Sequence, residues 1–311
     1  MTRRQHAPNS GNADLKDQLA TAYGMSVLDI APLNGGLANE TFFVRTTDGN
    51  YALTILGHRD VDRARIYAEY LLSLRGNGVR LAPLRRTTSG DLLVRLDTGP
   101  ALLATFIEGG CRSRIAARHI PAIAASLAQV HSLTHVTTPL GPILRLSDGN
   151  VADFDTLRDR EFGRWLRHWH DRVRQVFDGP GILVPTHGDP FPDNVVVRPN
   201  GSIVLIDWED GGMDRPEVDV GMALLGLCGI RQFDIRRAAL FMAAYRRHRG
   251  DVLDRELLLP ATIYLGLLAA YNRYTRYAAR LNSQADSRTY KDIPLLLRSL
   301  REQWKQLNRS R

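Results

Sequence analysis

The spacing of apolar residues changes near residue 116, and that change limits the possible folds more than any other feature of the chain. Upstream, short apolar segments alternate with turn residues. Residues 27–33, 40–46 and 50–56 read as strands, the last two joined by the turn Thr47-Asp48-Gly49-Asn50, and 92–96 and 101–107 add two more. Helical spacing covers 15–23, which stops at Gly24, and 62–75, which puts Ile66, Tyr70, Leu71 and Leu74 on one face before Gly76-Asn77-Gly78. Downstream, helical spacing dominates: 120–131, 153–177, a segment from Val220, 233–248, 257–281 and 293–307. One β island interrupts it, 195–198 and 203–207 around Pro199-Asn200-Gly201. The expectation is a bilobal α+β chain. A polar, disordered tail (1–13) precedes a small β-rich N-lobe (14–107), a hinge at 106–110 and a larger, mostly helical C-lobe (108–311).

With 311 residues the chain can bury a sizeable core without disulfides or metal staples. Its two cysteines, Cys111 and Cys228, form no CxxC pair, which excludes a zinc finger or a thioredoxin-type centre. No apolar run follows Arg3 and Arg4, so no secretory signal is expected, and the apolar stretch 257–271 is too short for a bilayer. A cytoplasmic protein with no membrane partner is the resulting expectation. The formal net charge is +8, and only Lys16, Lys291 and Lys305 are lysines, so the positive charge is carried by arginine. Such a bias fits either phosphate recognition or the codon preference of a GC-rich genome. The arginines are scattered, which disfavours a nucleic-acid face.

The segment that carries chemistry is His187-Gly188-Asp189-Pro190-Phe191-Pro192-Asp193-Asn194, followed thirteen residues later by Asp207. A loop with Asp189 and Asn194 enters one strand, and the returning strand ends at Asp207, so the hairpin gathers three oxygen-bearing side chains. Phosphoryl transfer uses such a set: a carboxylate to deprotonate an acceptor hydroxyl, and hard oxygen ligands for Mg²⁺ on the phosphates. Asp189 is the expected base, and Asn194 and Asp207 the expected metal ligands. Turn and cap roles for Asp and Asn are the bland alternative, which three such residues in this order make unattractive. His187 reads as a support of the loop. No GxxxxGK[ST] loop, GxSxG elbow or HExxH helix is present.

These elements, with Ile206-Asp207-Trp208-Glu209, resemble the aminoglycoside phosphotransferase/choline kinase superfamily, whose fold is similar to that of protein kinases. The resemblance covers roughly residues 25–280. It implies a catalytic Asp189, metal-binding Asn194 and Asp207, and Asp219 as an acidic brace for the catalytic loop. In the small lobe, Asn34-Gly35-Gly36-Leu37-Ala38-Asn39 looks like a nucleotide-binding turn, with Gly35, Gly36 and Asn39 placed for phosphate contact. The strand after it, with Thr54, resembles the homoserine-kinase branch in particular. So does Phe106-Ile107-Glu108-Gly109, where Phe106 and Ile107 would meet adenine. ATP and Mg²⁺ are the implied cofactors, and the implied partner is a small-molecule hydroxyl acceptor such as homoserine.

Thr54 stands where the wider kinase pattern has a phosphate-anchoring lysine, so Glu69 on the following helix has no lysine to pair with. Arg45, His58 and Arg59 are the candidate substitutes. Glu209, Asp210 and Asp214 could meet an acceptor's amino group or be solvated turn carboxylates. Trp165, His168, Trp169 and His170 on one helix suit packing or an acceptor wall. A natural-product phosphotransferase acting on an aminoglycoside, sugar or nucleoside is the alternative enzyme. A nucleotide-binding pseudokinase is the alternative from another class, supported by Thr54 and opposed by the complete Asp189, Asn194 and Asp207 set.

Overall fold

The computed structural model describes residues 10–33, 40–57, 59–136, 141–279 and 289–309, and the chain divides into two compact units, 1–109 and 110–311. In the first unit, helix α1 (Ser10–Tyr23) precedes strands β1 (Val27–Pro32), β2 (Glu40–Thr46) and β3 (Asn50–Ile55). Helix α2 (Val61–Gly76), β4 (Leu93–Leu96) and β5 (Gly99–Thr105) follow. The strands form one antiparallel sheet in the order β1-β2-β3-β5-β4. Thr46 closes the β2–β3 turn by donating its amide to the Gly49 carbonyl at 3.0 Å, and Gly49 takes φ +143°, open to glycine without strain. Leu19 and Tyr23 of α1 join Ile30, Val44, Leu53 and Leu103 of the sheet in one core. Asp60 caps α2 by accepting from the Arg63 amide at 2.8 Å. Helix α1 begins at Ser10, so residues 10–13 are helical rather than tail. Polar residues are well tolerated in a first turn, which is why composition there imitates a disordered segment.

The second unit is helical around two short β pairs. Its helices are α3 (Ile120–His131), α4 (Asp148–Asp153), α5 (Arg160–Val173), α6 (Pro216–Leu227), α7 (Ile235–Arg249), α8 (Arg255–Ala279) and α9 (Asp292–Arg309). Strand β6 (Val184–Pro185) pairs with β9 (Met213–Asp214), and β7 (Val195–Val197) with β8 (Ile203–Leu205). Every residue of α6 is buried, and it packs on α8, which also receives α5 and α9, while α3 packs on α7. Nothing in this arrangement needs a staple, and both cysteines are free thiols. No helix among the described residues is long and apolar enough to cross a membrane.

Three boundaries depart from the periodicity. The expected helix 153–177 is shorter: α4, which Ser147 caps in a reciprocal box with Asn150, ends at Asp153, and α5 starts only at Arg160, where Asp159 accepts from the Phe162 amide at 3.0 Å, and ends at Val173. Helix α6 starts at Pro216 rather than Val220, with proline in its first turn where a missing N–H costs nothing. Strand β8 ends at Leu205, so Asp207 lies beyond it, at φ +62°.

Candidate active site

The loop 187–194 runs from β6 to β7, and its backbone is tied on both sides. Thr186 donates its amide to Gly212 O at 2.8 Å, and Ile206 donates to Asn194 O at 3.0 Å. Gly188 takes φ +89° with its Cα packed on residue 210: a Cβ there would lie 2.2 Å from the Asp210 carbonyl oxygen. Gly188→Ala therefore meets left-handed strain and a backbone clash together. The expected cost is about 2–4 kcal/mol, read from denaturant unfolding. A loss under about 0.5 kcal/mol would show that the loop is not held this tightly.

His187 is buried and its tautomer follows from its partners. Asp189 N–H can only donate, and it points to His187 Nδ1 at 3.3 Å, so the ring hydrogen sits on Nε2 and is donated to Ile206 O at 3.0 Å. Burial drives its pKa down to about 4 despite the Asp219 charge, so the ring is neutral near neutral pH and serves the loop's shape. The ring also lies 4.4 Å from the Trp208 ring.

Asp219, in the first turn of α6, holds the loop from below. Its carboxylate accepts from His187 N and Gly188 N, each at 2.6 Å, and from His131 Nε2 at 2.9 Å. His131 Nδ1 in turn accepts from Tyr245 OH at 2.8 Å. Burial alone would raise the Asp219 carboxyl, but these hydrogen bonds and the flanking histidines hold it below the usual carboxylate range. A chain of three side chains from α6, α3 and α7 thus fixes the backbone that presents Asp189. His131 and Tyr245 escape a motif reading because a histidine ending an apolar helix resembles any core residue.

Asp189 is half-buried, and Asn194 Nδ2 donates to both its Oδ2 and its carbonyl oxygen, each at 2.9 Å. Burial, then the charges of Asp210, Asp193 and Asp207, raise its carboxyl well above the ordinary value, with Arg276 opposing them. A carboxylate so placed accepts a proton more readily than one in water. With its Nδ2 committed to Asp189, the Asn194 amide has Oδ1 as the oxygen to offer an acceptor-seeking group. Asp207 is exposed in the left-handed region, which aspartate tolerates better than most residues. Among the described residues no three His, Cys, Asp or Glu groups converge as a metal cage. Mg²⁺ does not need one: it favours one or two protein oxygens with waters and phosphate oxygens completing the shell. An amide oxygen and a carboxylate amid concentrated negative charge fit that ion.

The remaining expected residues separate. Gly35, Gly36, Asn39 and His58 lie outside the described residues. Thr54 is half-buried on β3, paired with Thr41 and Leu102, and Glu69 is exposed on α2. Phe106 donates its amide to Asn50 O at 2.9 Å and sets its ring edge-on to Phe43, with Ile107 half-buried beside it. Arg45 is drawn to Asp29 at 3.6 Å and Arg59 lies over the Tyr67 ring. Glu209 is buried and Asp210 half-buried, so neither is a fully solvated turn carboxylate. Asp214 is bound in bidentate fashion by Arg145 at 2.9 and 3.0 Å, which makes it structural. Trp165 stacks on Phe162, and the Arg301 guanidinium lies over the Trp169 ring. Two cavities, of about 570 and 440 Å³, are lined without any residue of the 187–194 loop, so the assignment rests on chemistry rather than on volume.

The chain is similar along most of its length to known phosphotransferases. Residues 29–259 match the family APH, described as a phosphotransferase enzyme family. The chain is 26 % identical over 272 residues to the homoserine kinase of Rhodopseudomonas palustris strain HaA2, covering 79 % of this chain and 78 % of that one. It is 28 % identical over 244 residues to the homoserine kinase of Chelativorans sp. strain BNC1, covering 72 % and 73 %. A microcompartment-associated aminopropanol kinase superposes with TM-score 0.68 at 17 % identity, over 96 % of this chain and 99 % of that chain. A spectinomycin phosphotransferase bound to ADP and spectinomycin gives 0.65 at 14 % identity, over 94 % and 95 %. The α+β, protein-kinase-like fold expected from the sequence is thereby established.

Proposed function

The chain belongs to the phosphotransferase enzyme family, and on that premise we propose that it is a kinase moving the γ-phosphoryl group of ATP to the hydroxyl of a small amino alcohol, L-homoserine foremost. The observation that carries this reading is Asp189 on a braced loop, its carboxylate held by Asn194 with Asp207 close enough for their charges to act on each other. Asp189 orients the acceptor hydroxyl and takes its proton as the oxygen forms its bond to phosphorus and ADP departs with the electron pair of the broken bond. Mg²⁺, held through Asn194 and Asp207, would neutralise charge on the phosphate oxygens. Asp219, His131 and His187 contribute by keeping Asp189 in place before substrate arrives, since in a loose transition state positioning supplies much of the rate. Relatives named homoserine kinases, matched along more than seventy per cent of both chains, support the acceptor class.

ADP release from Mg·ATP, followed across L-homoserine, L-threonine, 3-amino-1-propanol, choline, spectinomycin and a nucleoside, tests the proposal. L-Homoserine is expected to give the highest kcat/KM, by about tenfold or more over the other acceptors. Preference for spectinomycin or the nucleoside would replace the acceptor, and no acceptor-dependent release at all would overturn the kinase reading.

A further inference from the structure

Two arginines on one face of α8 stand beside the catalytic loop and have no part in the mechanism above. The Arg273 guanidinium lies over the Phe191 ring at 5.8 Å, and Phe191 is two residues from Asp189. Arg276 follows three positions later, one turn along the same face, is exposed, and its charge reaches Asp189. At the residue before Asp189, the backbone of Asp210 packs directly on Gly188, and its side-chain charge also bears on Asp189. The reacting carboxylate therefore has groups of both signs near it. A neutral sugar has use for neither sign of charge, and an amine without an acid would face the arginines unfavourably. A zwitterion satisfies both.

We propose that Arg276, with Arg273 behind it, binds the α-carboxylate of an amino-acid acceptor while Asp210 receives its α-ammonium, leaving the side-chain hydroxyl to reach Asp189. This rests on the kinase reading and makes the α8 arginines the residues that separate amino acids from simple amino alcohols. The planar guanidinium fork matches a carboxylate in two parallel hydrogen bonds, which an amide cannot reproduce.

L-Homoserine and 3-amino-1-propanol differ only in that carboxylate, so the pair isolates the interaction. The test measures kcat/KM for both in the wild type, Arg276→Gln and Arg276→Lys, with calorimetric titration of each acceptor in the presence of Mg·ADP. The wild type is expected to favour L-homoserine. In Arg276→Gln that preference should fall by about 10- to 100-fold, through KM more than kcat and with weaker L-homoserine binding, and Arg276→Lys should restore part of it. Equal losses on both acceptors in Arg276→Gln, while the wild type still phosphorylates L-homoserine, would overturn the subsite and leave the kinase standing. A wild type that favours 3-amino-1-propanol would overturn it too. A wild type that phosphorylates neither would overturn the kinase reading and the subsite together.

Discussion

Asp189→Asn is expected to lower kcat by about 10²–10⁴-fold with KM for ATP changed only a few-fold. The substitution keeps the shape of the side chain and leaves an oxygen able to accept from Asn194 Nδ2, so the loop has no reason to move. It removes the proton acceptor. The environment that raises the Asp189 carboxyl, burial with Asp210, Asp193 and Asp207 around it, cannot make an amide basic. Steady-state kinetics with L-homoserine and a fluorescent-nucleotide titration separate the two quantities. Turnover within about tenfold of wild type would remove Asp189 from the chemistry.

Asp219→Ala is expected to cost about 3–5 kcal/mol, enough to threaten folding of a domain whose whole margin is about 5–15 kcal/mol. The carboxylate is fully buried and accepts three hydrogen bonds, so its loss strands the His187 and Gly188 amides and His131 Nε2 without water to replace it. Asp219→Asn is the gentler probe, because its amide keeps one accepting oxygen where the carboxylate has two. Its pH dependence is also diagnostic. The folded Asp219 carboxyl sits below its unfolded value, so its stabilisation is complete above about pH 4 and is lost as the pH falls through the folded value. The difference in unfolding free energy between wild type and Asp219→Asn should therefore be largest near neutrality and shrink in acid. A difference that stays constant down to pH 3 would mean that the carboxylate charge is not what holds the loop.

What was legible in the sequence is what lies close together along it. Asp189, Asn194 and Asp207 fall within a single loop and hairpin, so their order alone implied convergence, and the sheet of the first unit followed from strands separated by recognisable turns. The support of that loop was only half visible. Asp219 could be assigned by resemblance, but His131 is 88 residues from it in sequence and Tyr245 a further long-range partner, 114 residues from His131. Such pairings are made by helix packing, here α3 on α7, and leave no local pattern. Arg276 is hidden for the same reason among many arginines. Periodicity also misled where capping overrode it, as at Asp159. Burial is equally invisible locally: Glu209 and Asp214 are acidic residues in a turn-like stretch yet are buried in the fold.

³¹P NMR of the enzyme with Mg·ATP and L-homoserine tests phosphoryl transfer most directly, because it separates transfer from hydrolysis in one tube. Transfer through Asp189 requires a phosphomonoester resonance, split by an adjacent methylene, that grows in step with ADP and is absent when Asp189→Asn replaces the wild type over the same interval. Inorganic phosphate accumulating alone, or the ester forming at the same rate in the variant, would contradict it.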